Sequence, residues 1–151
     1  MPDGKKAILD ELIFHRIKTA NSYPNNPAIG TWDQLSSTYT IDGKTDSHTN
    51  ATATRFHIIT PTHWMRISHR DNKFENAMGG SYTLDGNRGS VSLQFASFPT
   101  NDDKIQYAQR VEGNKLYFGG RRTDADGKLF TFDDVFQRVG NPQKMDKASS
   151  K

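Results

Sequence analysis

The sequence predicts an all-β chain with an N-terminal helix, its body an eight-stranded antiparallel up-and-down barrel. Three observations point there. From Gly30 onward the hydrophobic period becomes two and holds through eight strand-sized runs. Turn chemistry separates most of those runs, at Asp42-Gly43, Pro61-Thr62, Asp85-Gly86-Asn87, Glu112-Gly113-Asn114 and Asp126-Gly127. No crossover helix interrupts them, and a meander closed on itself leaves no exposed edge. A two-sheet sandwich is the rival arrangement.

The first unit is residues 1–22. Ile8, Leu12, Ile13, Ile17 and Ala20 recur at three- and four-residue spacing, while Lys6, Asp10, Arg16 and Lys18 take the other side. Asp3 suits the N-cap, and Asn21 to Pro27, rich in Asn and Pro, ends the helix. An apolar face that also carries Leu9 and Phe14 needs something to cover. It either lies on the outside or base of its own barrel or swaps onto a second copy, making a homodimer through the helix. The sequence does not choose.

The barrel takes residues 23–139, with strands near 31–41, 53–60, 63–70, 78–85, 89–97, 104–112, 115–122 and 128–138. Connections alternate along the chain, long after the first strand and tight at Pro61-Thr62. In a meander this sets tight turns at one end and long Asn-, Asp- and Thr-rich loops at the other. The expected shape is a cup, open at the loop end. The tail, 140–151, mixes Lys with Ser and Asp and reads as disordered.

At 151 residues the chain suits one domain with a real core. Lys plus Arg number 20 against 17 Asp plus Glu, a net +3, and the basic residues are spread along the whole length. Proteins that track phosphate gather their charge on one face, so no nucleic-acid partner is expected. Without cysteine there is no disulfide framework, thiolate nucleophile or cysteine metal site. The N-terminal apolar run is broken by Asp10, Glu11, His15 and Arg16, unlike a signal-peptide core, and no stretch suggests a membrane span. The expectation is a soluble, cytoplasmic protein.

Gly30-Thr31-Trp32 resembles the Gly-x-Trp signature that opens the first strand of lipocalins and the wider calycin group. In that family the tryptophan sits at the closed end of the barrel and an arginine late in the last strand packs across it; Arg138 holds the matching place. The run from Ile58 to Trp64, followed by Gly79 to Gly86, is similar to small bacterial lipocalin-like domains. The resemblance covers residues 29–139 and implies a cup for small molecules. No helix pair follows the first strand, unlike the fatty-acid-binding branch. No histidine follows His69, where haem-binding relatives place one late in the chain.

Choosing the face of each strand that keeps apolar residues together places Phe56, Ile58, Met65, Ile67, Val91, Leu93 and Phe95 inside. Ile105, Leu116, Phe118, Phe130 and Phe132 follow on later strands, and Gln34, Ser36 and Thr38 on the first. The same phase carries His63, His69, Tyr82, Tyr107, Gln109, Arg122 and Asp134 inward. A bulge at Asp133-Asp134 would turn Asp134 out. Trp32 and Arg138 read as a structural plug with a cation–π contact.

An aromatic-lined cavity with a few polar groups is the usual form of a small-molecule site. The first functional reading is therefore a lipocalin-like carrier of a small, largely apolar molecule that has an anionic or phenolic group. Its binding residues would be His69, Tyr82, Gln109, Arg122, Met65, Phe95, Phe118 and Phe132. The second is a cofactor-independent acid–base enzyme, an isomerase, cyclase, lyase or hydratase, using His63 or Asp134 as base and Tyr82 or Tyr107 as acid. No cofactor motif is present. No metal site is expected either, because His57, His63 and His69 sit six residues apart with His57 in the opposite phase.

Overall fold

The computed structural model describes residues 21–49, 53–100, 104–123 and 126–140. The expected helix, as far as Ala20, and the expected tail from 141 on lie outside them. Among the described residues nine strands run in chain order: β1 (Gly30–Ile41), β2 (Lys44–Thr49), β3 (Ala53–Ile59), β4 (His63–Arg70), β5 (Lys73–Asp85), β6 (Arg88–Ala96), β7 (Lys104–Glu112), β8 (Lys115–Thr123) and β9 (Leu129–Arg138). All neighbours are antiparallel, and β9 returns to pair with β1. β1 and β3 to β9 thus close an eight-stranded barrel, with β2 attached outside the cycle to the second half of β1. Among the described residues there is no helix.

Two differences from the expected connections have a local cause. Asp42 and Gly43 both take positive φ, 50° and 74°, and turn the chain straight back as β2. Lys44–Thr49 contains no apolar residue, so hydrophobic patterning leaves it invisible. Asp71 and Asn72 do the same at φ 50° and 59°, so β5 begins at Lys73 rather than near residue 78. Two connections read as long loops are therefore hairpins, and the contrast between the two ends of the cup is smaller than the spacing predicts.

The interior phase is set by side-chain volume and by bulges. Trp32, Trp64, Met78, Val91, Leu116 and Phe136 are almost fully buried and belong to one core cluster. On β3 and β4 both faces carry apolar residues, so pattern alone cannot pick one. The paired Ile59 and Trp64 turn inward, carrying Arg55, His57, Arg66 and Ser68 with them. Phe56, Ile58, Met65 and Ile67, all expected inside, point out instead. His63 and His69 go with them. A bulge at Gln94 likewise turns Phe95 out, where it is 48% exposed. In β1 the extra residue is Leu35, between Gln34 and Ser36, which makes Gln34 and Ser37 the interior residues in place of Ser36 and Thr38. The bulge lies in β1 rather than β9, and Asp134 stays in phase with Phe132 and Phe136, buried.

Candidate functional site

The two ends of the barrel interior differ in chemistry. One is closed by the segment ahead of β1. Asn26, buried, accepts from Gln109 Nε2 at 2.7 Å and from the Ala28 N–H at 3.0 Å, and its own Nδ2 donates to Tyr82 Oη at 3.1 Å. The Tyr82 hydroxyl donates onward to the Thr60 carbonyl at 2.8 Å, and Tyr23 stacks on the Tyr82 ring. Burial raises the phenol's pKa, with the Asn26 bond working against it. Trp32 donates its indole N–H to the Ala28 carbonyl at 2.8 Å. Arg138 lies 4.1 Å over the Trp32 ring and donates to the Ile29 and Pro27 carbonyls at 2.8 and 3.2 Å. Gly30 is required beside it: its φ is +139°, and a Cβ there would meet the Arg138 guanidinium at 2.6 Å.

This network gives Tyr82 and Gln109, both expected to contact ligand, partners within the closed end. Tyr107 is next to it. Burial raises its pKa first, and its hydroxyl donates weakly to the Thr83 carbonyl at 3.5 Å, its ring tucked where a Cβ on Gly89 would clash. His63, Tyr107 and Asp134 are not brought together: His63 is on the outer face, where its Nδ1 meets the Thr62 hydroxyl at 2.8 Å. Met65, His69 and Phe95 are outside as well. Arg122, Phe118, Phe132 and Asp134 converge at the opposite end of the interior.

That end is built from β3, β4, β8 and β9. Arg55, Arg66, Arg122 and Asp134 surround a space of about 20 Å³, room for about one water, backed by Phe118, Phe130 and Phe132. Arg66 donates Nη2 to Asn76 at 3.2 Å, while its Nε is buried without a hydrogen-bond partner. Burial, then the Arg55 and Arg122 charges, push its pKa down to about 9, with Asp134 and Glu75 pulling the other way. The Arg66 and Arg122 guanidiniums both lie over the ring of Phe98, from the segment after β6, at 5.9 and 5.8 Å, and Arg122 also lies 4.8 Å over Phe130.

His57 completes this wall. Trp64 donates its indole N–H to His57 Nδ1 at 3.3 Å, so the ring carries its proton on Nε2. The imidazole is packed 4.1 Å from Phe136 and 5.0 Å from Phe118. Burial, then Arg66 and Arg55, hold its pKa well below the usual 6.5. It is neutral at pH 7 and leaves the arginine charges in place. Sequence reasoning missed Arg55, His57 and Arg66 because the apolar face of β3 and β4 was taken as the inner one. The signal that could have found them was the size of Trp64, too large to leave outside while four smaller apolar residues filled the barrel.

A separate trough of about 770 Å³ lies over β6 to β8, lined by Arg88, Gln106, Gly119 and Arg121; it is open to solvent and shares only Tyr107 with the expected site. Among the described residues no three His, Cys, Asp or Glu side chains are grouped to hold a metal ion, and no helix is long and apolar enough to cross a membrane.

No family model and no curated protein matches the chain. Among solved structures, the "Crystal Structure of Rv2717c from M. tuberculosis" is similar at a TM-score of 0.33 and 12% identity, over 76% of this chain and 94% of that one. A likeness that loose assigns neither fold family nor function. The closed eight-stranded antiparallel barrel, with an interior that could hold a ligand, stands on its own strand pairing.

Proposed function

We propose that the barrel is a lipocalin-like receptor for a small, mostly apolar molecule bearing one acidic group, a carboxylate by preference. The acid meets Arg66, Arg55 and Arg122, and the apolar body lies against Phe118, Phe130 and Phe132. One observation carries the reading: the Arg66 guanidinium is deep in the barrel with its Nε unbonded and two more arginines beside it. Around this space the guanidiniums of Arg55, Arg66 and Arg122 outnumber the one lining carboxylate, Asp134, and a carboxylate ligand would meet them with paired N–H···O bonds. The filled interior means the ligand takes the place of a side chain. Phe98, whose ring both the Arg66 and Arg122 guanidiniums overlie, is the one whose departure would uncover both.

The test is calorimetric titration of the full chain with medium-chain and aromatic carboxylic acids, each paired with its alcohol. The acid binds, its alcohol does not, and Arg66→Met abolishes binding with the thermal transition kept. Equal binding of acid and alcohol, or no binding by any acid, overturns the proposal. Recovery of each acid unchanged after incubation fits a receptor; a product would point to acid–base turnover by the interior Asp134 or Tyr107.

A further inference from the structure

β6 ends at Ala96, and the chain then sets one ring against the cationic end of the interior. Ser97 fixes where that happens. Its N–H donates to the Ala77 carbonyl at 2.9 Å, and its Oγ accepts the Ala77 N–H at 2.9 Å. Phe98 follows at once, half-buried and packed against the core cluster. Pro99 comes next and has no N–H, so it adds no donor that could tie this stretch of backbone to a neighbouring strand.

Among the described residues Phe98 is the ring that both Arg66 and Arg122 overlie, at 5.9 and 5.8 Å. A guanidinium over the face of a ring is a favourable contact, and more so where water is excluded. An alkyl group in place of this ring would keep the volume and forfeit both contacts. A second ring would keep them.

Volume argues the same way. The space beside the arginines, about 20 Å³, holds no ring of its own. The apolar body of a ligand therefore needs the volume that Phe98 fills. Packed interiors accept exchanges that conserve volume far better than those that add to it, and the group closest in volume to a phenylalanine ring is another phenyl ring. While Phe98 is seated, only the fraction of molecules with the ring displaced can bind, and the apparent affinity falls by that fraction.

We infer that the Phe98 side chain stands in for part of the ligand: the apolar body of the acid is a single aryl ring, seated where Phe98 now lies against Arg66 and Arg122. The inference rests on the carboxylate reading of this site and adds the class of acid, an arylalkanoate. Phe98 is then a built-in competitor for its own pocket.

Calorimetric titration of the full chain and of Phe98→Ala tests this, with phenylacetate, cyclohexylacetate and 2-phenylethanol as probes. Phe98→Ala binds phenylacetate about tenfold or more tightly than the parent does, and about threefold or more tightly than it binds cyclohexylacetate. Phe98→Leu keeps the apolar bulk without the ring and shows the same order of the two acids, so the comparison survives if the alanine variant loses its thermal transition. Phenylacetate binding that both variants leave unchanged or weaken overturns the inference. Equal binding of the two acids, both above 2-phenylethanol, also overturns it and leaves the carboxylate reading standing. Equal binding of phenylacetate and 2-phenylethanol, both above cyclohexylacetate, strikes the carboxylate reading instead and keeps the aryl subsite at Phe98.

Discussion

Trp32 is engaged on every side: its N–H is held by Ala28, its face is covered by Arg138, and no part of it reaches water. Trp32→Ala removes the ring and strands the Arg138 guanidinium, and is expected to lower stability by about 3–5 kcal/mol in denaturant unfolding. An unchanged midpoint would mean that the plug does not hold the barrel shut. His57 acts in the other direction, through a proton. Its pKa is depressed below 6.5 in the folded chain, so the unfolded chain binds the proton first. Its contribution is complete above pH 6.5 and falls away as the pH drops below that value, at up to about 1.36 kcal/mol per pH unit. His57→Phe should flatten that part of the stability profile relative to the parent. Of these residues Trp32 and Arg138 were legible, because Gly-x-Trp and a terminal arginine are local signals. His57 and Arg66 were not, since a buried imidazole or guanidinium contradicts every polarity rule used to choose a face.

Strand existence was readable along nearly the whole chain, because alternation and Gly- or Asn-containing turns coincide at most boundaries. Strand facing was readable only where one face was clearly apolar, as on β7, where Ile105, Tyr107, Gln109 and Val111 alternate with Gln106, Ala108 and Arg110. On β3 and β4 that contrast is absent, because the outer face carries its own apolar surface. Single-residue bulges at Leu35 and Gln94 then reverse the phase partway along a strand, with no compositional mark. The Asp71-Asn72 hairpin offers a test at this scale. Both residues have positive φ, where glycine bears no Cβ penalty. Asn72→Gly should raise the thermal midpoint, by up to about 1 kcal/mol of stability. No change would mean that tertiary contacts already relieve the turn.

Taken as a whole, the barrel is a wall with chemistry on both sides. One end of its interior is tied together by hydrogen bonds among Asn26, Tyr82 and Gln109; the other gathers cations around a residual void. On the proposed reading, ligand selectivity would reside in that difference, with the acid meeting the end where Arg55, Arg66 and Arg122 gather. The way in follows from how β1 changes partners. It pairs with β3 only from Gly30 to Asp33, and from Ser36 onward it turns its edge to β2. Past Asp33 the seam between β1 and β3 has no ladder, and Arg55 belongs to the β3 side of it. Among the described residues, that part of the β1 edge is taken by β2 and not by β3, as a cuff buttoned to one side only. On the proposed reading a guest would reach the arginines sideways, through that stretch of wall, while the eight-stranded hoop below it stays closed.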